Sequence, residues 1–451
     1  MTSSRRLTGW LLFVFLLAGS VPGAHALPAF ARKYGLRCSA CHEAWPMLNY
    51  FGQKFKDNGY QLMNDRDAPI WQNPTYWPVT FRITPNWHRE SSDKVSVDTP
   101  SGTGLRQITS SGFDLTGLDF HTGGTLEKNL SFYVLPSSDG TGAFHFETVM
   151  GRLDNLFGSS WINVKFGKFE LDNLVSEKRI LTLTSISGVY QTYHFIPVGD
   201  GNIFAQIGDN QLGVEIMGHS ADDRTRYSAS LLSSNDGNVN LSYGANAYSG
   251  FFTASQAFDT GKLGVQRIGA YAMIGQAPTI YFTQGGIPIQ GSGIGNKSFS
   301  REGFVGQFYF GKLDFQVVTQ HGEDNAWFGA GYGDAPDGGP NASGIPSLPA
   351  GSRPPKWNGY MVESHYVYSP QLIFIQRSEW ERMSQQALTT NASDLGNIDM
   401  YTFGYRYMPI MTSRAGFAWH NEYSWIRQRG TAPDGSDLTS SSLLMGFDFD
   451  F

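Results

Sequence analysis

The chain has 451 residues, of which 14 % are aromatic, 53 are glycine and only 16 % are charged, with a formal net charge of −6. Soluble domains carry about 25 % charged residues, and nucleic-acid partners select basic surfaces, so this balance excludes nucleic acid as a partner and argues against an ordinary soluble domain. No apolar run after residue 26 reaches 18 residues, which excludes a transmembrane helix and leaves strands as the only way across a membrane.

Residues 1–26 read as a secretory signal peptide: Arg5 and Arg6 at the start, an apolar core over 7–17, and a small-residue cleavage site at Ala24-His25-Ala26. Its removal takes the net charge to −8.

Residues 27–78 form a second unit. Cys38 and Cys41 are the only cysteines of the chain, and His42 follows at once. Cys-x-x-Cys-His is the attachment signature of c-type haem. On a helix, positions i and i+3 share a face, so two thiols can reach the two vinyl groups of one porphyrin, and His42 presents an axial nitrogen to the iron. The alternatives are a dithiol redox pair and half of a zinc site. The first belongs in a βαβ pattern, and the second needs four ligands; neither context is present. One covalent haem c per chain is therefore expected. Met63 is the candidate sixth ligand. Met47 stands too near His42 to cross to the opposite ring face, and His88, His145, His365 and His420 are the other candidates. Phe51 and Phe55 are spaced for one face of a helix that should stop at Gly59. A unit this small cannot enclose a haem and keep its own core, so it must borrow surface from the rest of the chain. Residues 69–78 read as a linker.

From Val79 the hydrophobic period becomes two. Strands are predicted at 79–88, 112–121, 129–136, 143–152, 159–168, 211–219, 224–233, 246–258, 263–274, 303–311, 313–321, 358–368, 371–382, 398–408, 414–427 and 442–451. In the last of these Leu443, Met445, Phe447, Phe449 and Phe451 share one face and Gly446, Asp448 and Asp450 the other. Aromatics on one face of strand after strand fit the interface girdles of a membrane barrel. Connections alternate in length, long at 89–111, 169–210, 275–302, 322–357, 383–397 and 428–441, short at 220–223, 259–262 and 369–370. An even strand number puts both ends of the barrel, residues 79–451, on the short-turn side, which in an outer membrane is the periplasm. The fold expected is an all-β, 16-stranded antiparallel transmembrane β-barrel with a short α-helical haem segment plugging the lumen.

Inward positions are expected at Arg82, His88, His145, Glu147, Lys165, Glu215, Arg226, Glu363, Arg406 and Glu422, as a polar lumen, with arginines the natural partners of haem propionates. The 169–210 connection is too apolar for an external loop and is expected to fold inward. Glu323, Asp324, Asp334 and Asp337 read as solvated loop acids, with carboxylate coordination of Fe(II) as the sharper alternative.

Pro28-Ala-Phe30-Ala-Arg32, Cys38-x-x-Cys41-His42, Phe51-Gly52, Phe55-Lys56 and Gly59-Tyr60 together resemble the fused monohaem cytochrome–porins, which include the outer-membrane iron oxidases of iron-oxidising bacteria. The match covers roughly 35 residues and departs at Lys33-Tyr34, where many members carry Gln-Thr. The resemblance implies a haem inside or at the mouth of the pore. It would carry electrons between an extracellular donor, Fe(II) first among the candidates, and a periplasmic c-type cytochrome or other carrier. A diffusion porin with a haem-bearing plug, and an outward conduit to an extracellular acceptor, are the alternatives.

Overall fold

The computed structural model describes residues 28–44, 47–62, 79–138, 143–174, 191–195, 207–208, 210–233, 248–278, 282–284, 287–289, 296–326, 351, 353–386, 397–412 and 415–451. The signal peptide, Met63, the 69–78 linker, Asp334 and Asp337 lie outside these residues.

Sixteen antiparallel strands close into one barrel. They are β1 Val79–Thr99, β2 Gly102–Glu127, β3 Leu130–Ser138, β4 His145–Leu153, β5 Asn163–Phe169, β6 Gln211–His219, β7 Thr225–Ser233 and β8 Tyr248–Asp259. The second half is β9 Val265–Pro278, β10 Asn296–Phe310, β11 Leu313–Glu323, β12 Lys356–Ser369, β13 Leu372–Gln385, β14 Ile398–Met411, β15 Gly416–Gln428 and β16 Leu438–Asp450. Closure runs from β16 to β1, pairing Asp450 with Arg82 and Ser440 with Ser92, and Phe451 adds a reciprocal backbone pair with Phe81. The two rings stack at 5.4 Å. A closed ring leaves no strand edge unpaired around its circumference, the condition for a sheet in lipid.

The period-two pattern decides which side faces lipid. Phe403, Tyr407, Trp419, Tyr423, Met445, Phe447 and Phe449 are exposed on the outer surface, while Thr402, Arg406, His420, Glu422, Ser424 and Asp448 are buried on the inner one. All sixteen expected strands are present. The 89–111 loop is not: β1 and β2 run on as a paired hairpin, Val95 opposite Arg106 and Thr99 opposite Gly102. Its Ser-Thr-Val-rich sequence alternates weakly, so periodicity marks only the part that faces lipid.

Among the described residues four short α-helices lie outside the strands: α1 Pro28–Tyr34, α2 Cys38–Cys41, α3 Tyr50–Asp57 and α4 Gln191–His194. The first three make a plug near the short-turn end. The fourth belongs to the connection between β5 and β6. Plug, connection and wall meet in one buried apolar cluster that joins Phe55 and Tyr60 of the plug, Leu171, Leu174, Tyr193 and Ile207 of the connection, and Leu232, Phe251, Met273, Val318 and Met361 of the wall. The inner wall thus mixes apolar positions with buried charges such as Arg267, Asp314 and Glu363. From β7 to β12 much of the inner wall is apolar, which corrects the expectation of an ordinary polar lumen. These residues pack against an internal core and never meet channel water.

Candidate functional site: a cysteine-bearing turn held inside the barrel

Cys38–Cys41 forms a single α-helical turn, and the chain leaves it in extended form from His42, which pairs with Leu48. Cys41 and His42 are half-buried. Asn49 fixes this turn from three directions. Its backbone N–H donates to the Cys41 carbonyl (2.9 Å), and its side-chain amide donates to Ser39 O (3.3 Å) and Ala40 O (3.1 Å). Its side-chain oxygen accepts from Gly52 N at 2.9 Å and so caps α3 as well. Gly52 is required by close approach: a Cβ there would stand 2.0 Å from the Cys41 carbonyl oxygen. The helix ends where the sequence places its stop, with Gly59 at φ +77.

The plug reaches opposite walls. On one side Phe30 stacks on Tyr60 (5.0 Å between centroids), Phe55 packs edge-on to Phe30 (5.3 Å), and Tyr60 continues the stack to Tyr133 of β3 (6.0 Å). Asp57 is buried and pairs with Arg226 of β7 at 2.6 Å, while Arg152 of β4 donates to the Asp57 carbonyl at 2.8 Å. Lys56 pairs with Glu170 at 3.4 Å. On the other side Met47 is buried among Ile373, Ile375, Met408 and Ala418, and its sulfur accepts from Gln316 Nε2 at 3.3 Å. Met47 is thereby turned to the wall.

The inward fold of the β5–β6 connection is borne out for the part described. Thr192 N donates to Glu379 of β13 (3.3 Å), and Gln320 of β11 donates to Thr192 O (2.8 Å). Tyr193 packs edge-on to Tyr271 at 5.4 Å, and Phe195 to Trp357 at 5.5 Å.

The expected lumen charges are mostly where the pattern put them, and the arginines are committed. Arg82 bonds Asp448 (2.9 Å) and Asp119 (3.4 Å), Arg406 bonds Asp448 (2.8 Å), and Arg226 serves Asp57 and Asp223. Lys165 pairs with Glu215. His88 is inward and half-buried. His145 lies opposite inward Ser137 at the exposed end of β4, and half-buried Glu147 accepts from Asn210 of the β5–β6 connection at 3.5 Å, while the buried residues of β4 are Thr148, Met150 and Arg152. The β3–β4 register shifts by one residue between Leu135 and Pro136, so the face that holds Thr148 on one side of the shift holds His145 on the other.

Two of the lumen histidines, His365 and His420, are occupied. His365 Nδ1 bonds Asp314 and its Nε2 bonds Glu363, both at 2.7 Å. His420 Nδ1 accepts from Arg406 (3.2 Å) while Nε2 bonds Glu422 (2.7 Å). Neither ring has a nitrogen left for an iron. Among the loop acids, Glu323 pairs with Lys356 (2.8 Å) and Asp324 with Arg301 (2.7 Å). Burial pushes the Asp324 carboxyl up and Arg301 opposes it. No group of three metal-ligating side chains occurs among the described residues, so an acidic Fe(II) site in this loop is not formed by them.

Asn49, Asp57, Arg152 and Glu379 were missed from sequence. The Asn49-x-x-Gly52 spacing is a readable N-cap signal, and Gln53 four residues before Asp57 a readable helical pair, bonded at 2.8 Å. Nothing local marks the wall partners.

No protein-family model matches the chain, and no curated protein matches it. Among solved structures it is similar to an anion-selective porin from Comamonas acidovorans (10 % identity, 83 % of this chain and 98 % of that one covered, TM-score 0.49). It is also similar to the outer membrane channel DcaP of Acinetobacter baumannii (11 %, 82 % and 97 %, 0.47) and to OmpT of Vibrio cholerae in its trimer form (9 %, 81 % and 99 %, 0.45). By its own topology the chain is a porin-like barrel, closed by sixteen antiparallel strands, with one connection folded inward and an N-terminal plug in its lumen.

Proposed function

We propose that the chain is an outer-membrane electron conduit whose plug holds one covalent haem c through Cys38, Cys41 and His42. The observation that carries this reading is the placement of the cysteine turn: the chain's only two thiols occupy one helical turn, followed by His42, on a plug tied to opposite walls. The donor set fits a c-type haem, with Cys38 and Cys41 as the thioether positions and His42 as the axial nitrogen. When bound, that group supplies reversible one-electron exchange at its iron. The chain's residues do the holding. Asn49 and Gly52 fix the turn, Asp57 and Met47 fix the plug, and the apolar core around Phe55 excludes water. Met63 is the proposed sixth ligand, since His365 and His420 are engaged. In this reading the termini and short turns are periplasmic, the long connections meet an extracellular donor or acceptor with Fe(II) the leading donor, and a soluble periplasmic carrier is the partner. With Fe(II) as donor the chain is an Fe(II)-oxidising outer-membrane cytochrome.

A second reading rests on the barrel itself. Sixteen strands enclose enough width for an aqueous channel when empty, so a diffusion porin with a haem-bearing plug uses the same fold. One experiment separates the two. Liposomes carrying the protein are loaded with a soluble cytochrome c, and Fe(II) is added outside. The conduit reading expects reduction of the enclosed cytochrome, poor permeability to small sugars, and loss of reduction in His42→Ala with the barrel still assembled. Free passage of sugars, with reduction untouched by His42→Ala, makes the chain a pore.

A further inference from the structure

Residues 28–62 carry Arg32, Lys33, Arg37, Lys54 and Lys56 against Glu43 and Asp57, a net +3 within a chain of net −6. The charges divide by direction. Asp57 and Lys56 point into the barrel, to Arg226 and Glu170. Arg37 is exposed and Lys33 and Lys54 are half-buried; the rings of Tyr50 and Phe51, one helical turn before Lys54, are exposed. Tyr50 OH donates to Asp222 O at 3.3 Å in the turn between β6 and β7, which puts this face at the short-turn mouth. Arg224, Lys262 and Lys312 are exposed on three short turns of the same mouth. Asp222 and Asp259 are exposed on the same rim, Asp222 paired with Arg224 at 3.5 Å, so the excess of positive charge on this face comes from the plug.

We propose that this face is the docking surface for a soluble acidic redox protein. The proposal rests on the reading that the cysteine turn holds a haem, and it names the partner of that site. Two exposed rings on a cationic plug supply what a transient interface needs: aromatic contact area and charge that steers approach. The position is apt, because Phe51 precedes the glycine that lies on the Cys41 carbonyl. A carrier seated on Tyr50 and Phe51 is therefore one residue from the glycine that touches the cysteine turn. A basic carrier would meet like charge on approach, so the surface selects by repulsion as well as attraction.

The test uses the full-length holoprotein in lipid nanodiscs, with an acidic and a basic soluble cytochrome c as probes. Reduction of each probe is followed by stopped-flow absorbance, and equilibrium binding by surface plasmon resonance. The acidic probe should react and bind the more strongly at low salt. Arg37→Glu with Lys54→Glu should slow it by about tenfold, help the basic probe, and lose its effect at high salt. Equal rates and affinities for the two probes, or no response to the charge reversal, overturn the proposal. Equal competition by heparin and by an acidic protein of similar charge overturns it too, since the face would then take any polyanion. Reduction of a small uncharged dye reports on the haem alone. If the dye is not reduced, the haem reading has failed, and the binding arm still decides the docking surface because it needs no electron transfer.

Discussion

Asn49 joins two helices and Gly52 lets them touch. One asparagine satisfies backbone carbonyls at Ser39 and Ala40 and caps the helix that follows, so loss of its side chain leaves three groups to water. Gly52→Ala forces a Cβ onto the Cys41 carbonyl, an overpacking that costs about 1–3 kcal/mol when the contact is rigid backbone. The expected outcome is a barrel that assembles, judged by heat-modifiable gel migration, with haem staining at full-length mass much reduced. Full staining would mean that the turn is not held where it is found. Cys41→Ala is the sharper control: it should abolish covalent haem, and a surviving stained band sinks the assignment. Asp57 is the residue on which the plug's docking turns. Removing one partner of a buried pair costs about 3–5 kcal/mol when the other charge is stranded, but Asp57→Ala leaves Arg226 paired with Asp223, so Asp57→Ala should loosen the plug and Arg226→Ala, which leaves buried Asp57 without its cation, should loosen it more. Protease cleavage within residues 28–62 of the folded barrel reads that order directly; equal cleavage of both variants contradicts it.

At the scale of elements, the plug and the inward connection share one core. α3 has eight residues and α4 four, lengths that have no stability alone. They persist because Phe55, Tyr60 and Tyr193 bury apolar surface against Leu232, Phe251 and Met361, and full burial of one such side chain contributes about 1.5–3 kcal/mol. The connection is also bonded to the charged side, through Thr192 to Glu379 and Gln320. Deleting residues 28–62 should therefore open the lumen only in part, since α4 still reaches the β11–β13 wall. Single-channel recordings should show a step of conductance on plug deletion and a further one when 191–195 is also replaced by a short polar linker. A fully open channel from plug deletion alone would show that the connection does not narrow the lumen.

For the whole molecule, alternating connection length sets the sidedness. Short turns at 128–129, 220–224, 260–264, 311–312 and 370–371 gather at the end where Tyr50 meets Asp222, and long connections at the other. Tags inserted near residues 335 and 435 should be accessible on intact cells, and one near 260 should not. Accessibility at 260 alone inverts the molecule and puts the plug outside.

The sequence by itself determined whatever depends on local period and local chemistry. Sixteen strands, the outward aromatics such as Phe447 and Trp419, the helix stop at Gly59 and the Cys38-x-x-Cys41-His42 spacing follow from side-chain alternation, turn residues and sequence order, all written within a few residues. The tertiary structure decided what depends on partners far apart in the chain. That Arg226 waits for Asp57, that His365 and His420 are consumed by carboxylates, and that Met47 faces Ile373 are pairings across strands whose register no local pattern encodes. The one-residue shift at Pro136 that keeps His145 and Thr148 on one face belongs with them. So does the apolar inner wall from β7 to β12: alternation marks which residues point inward, but only the plug and connection that fill the lumen decide whether those residues meet water or a core.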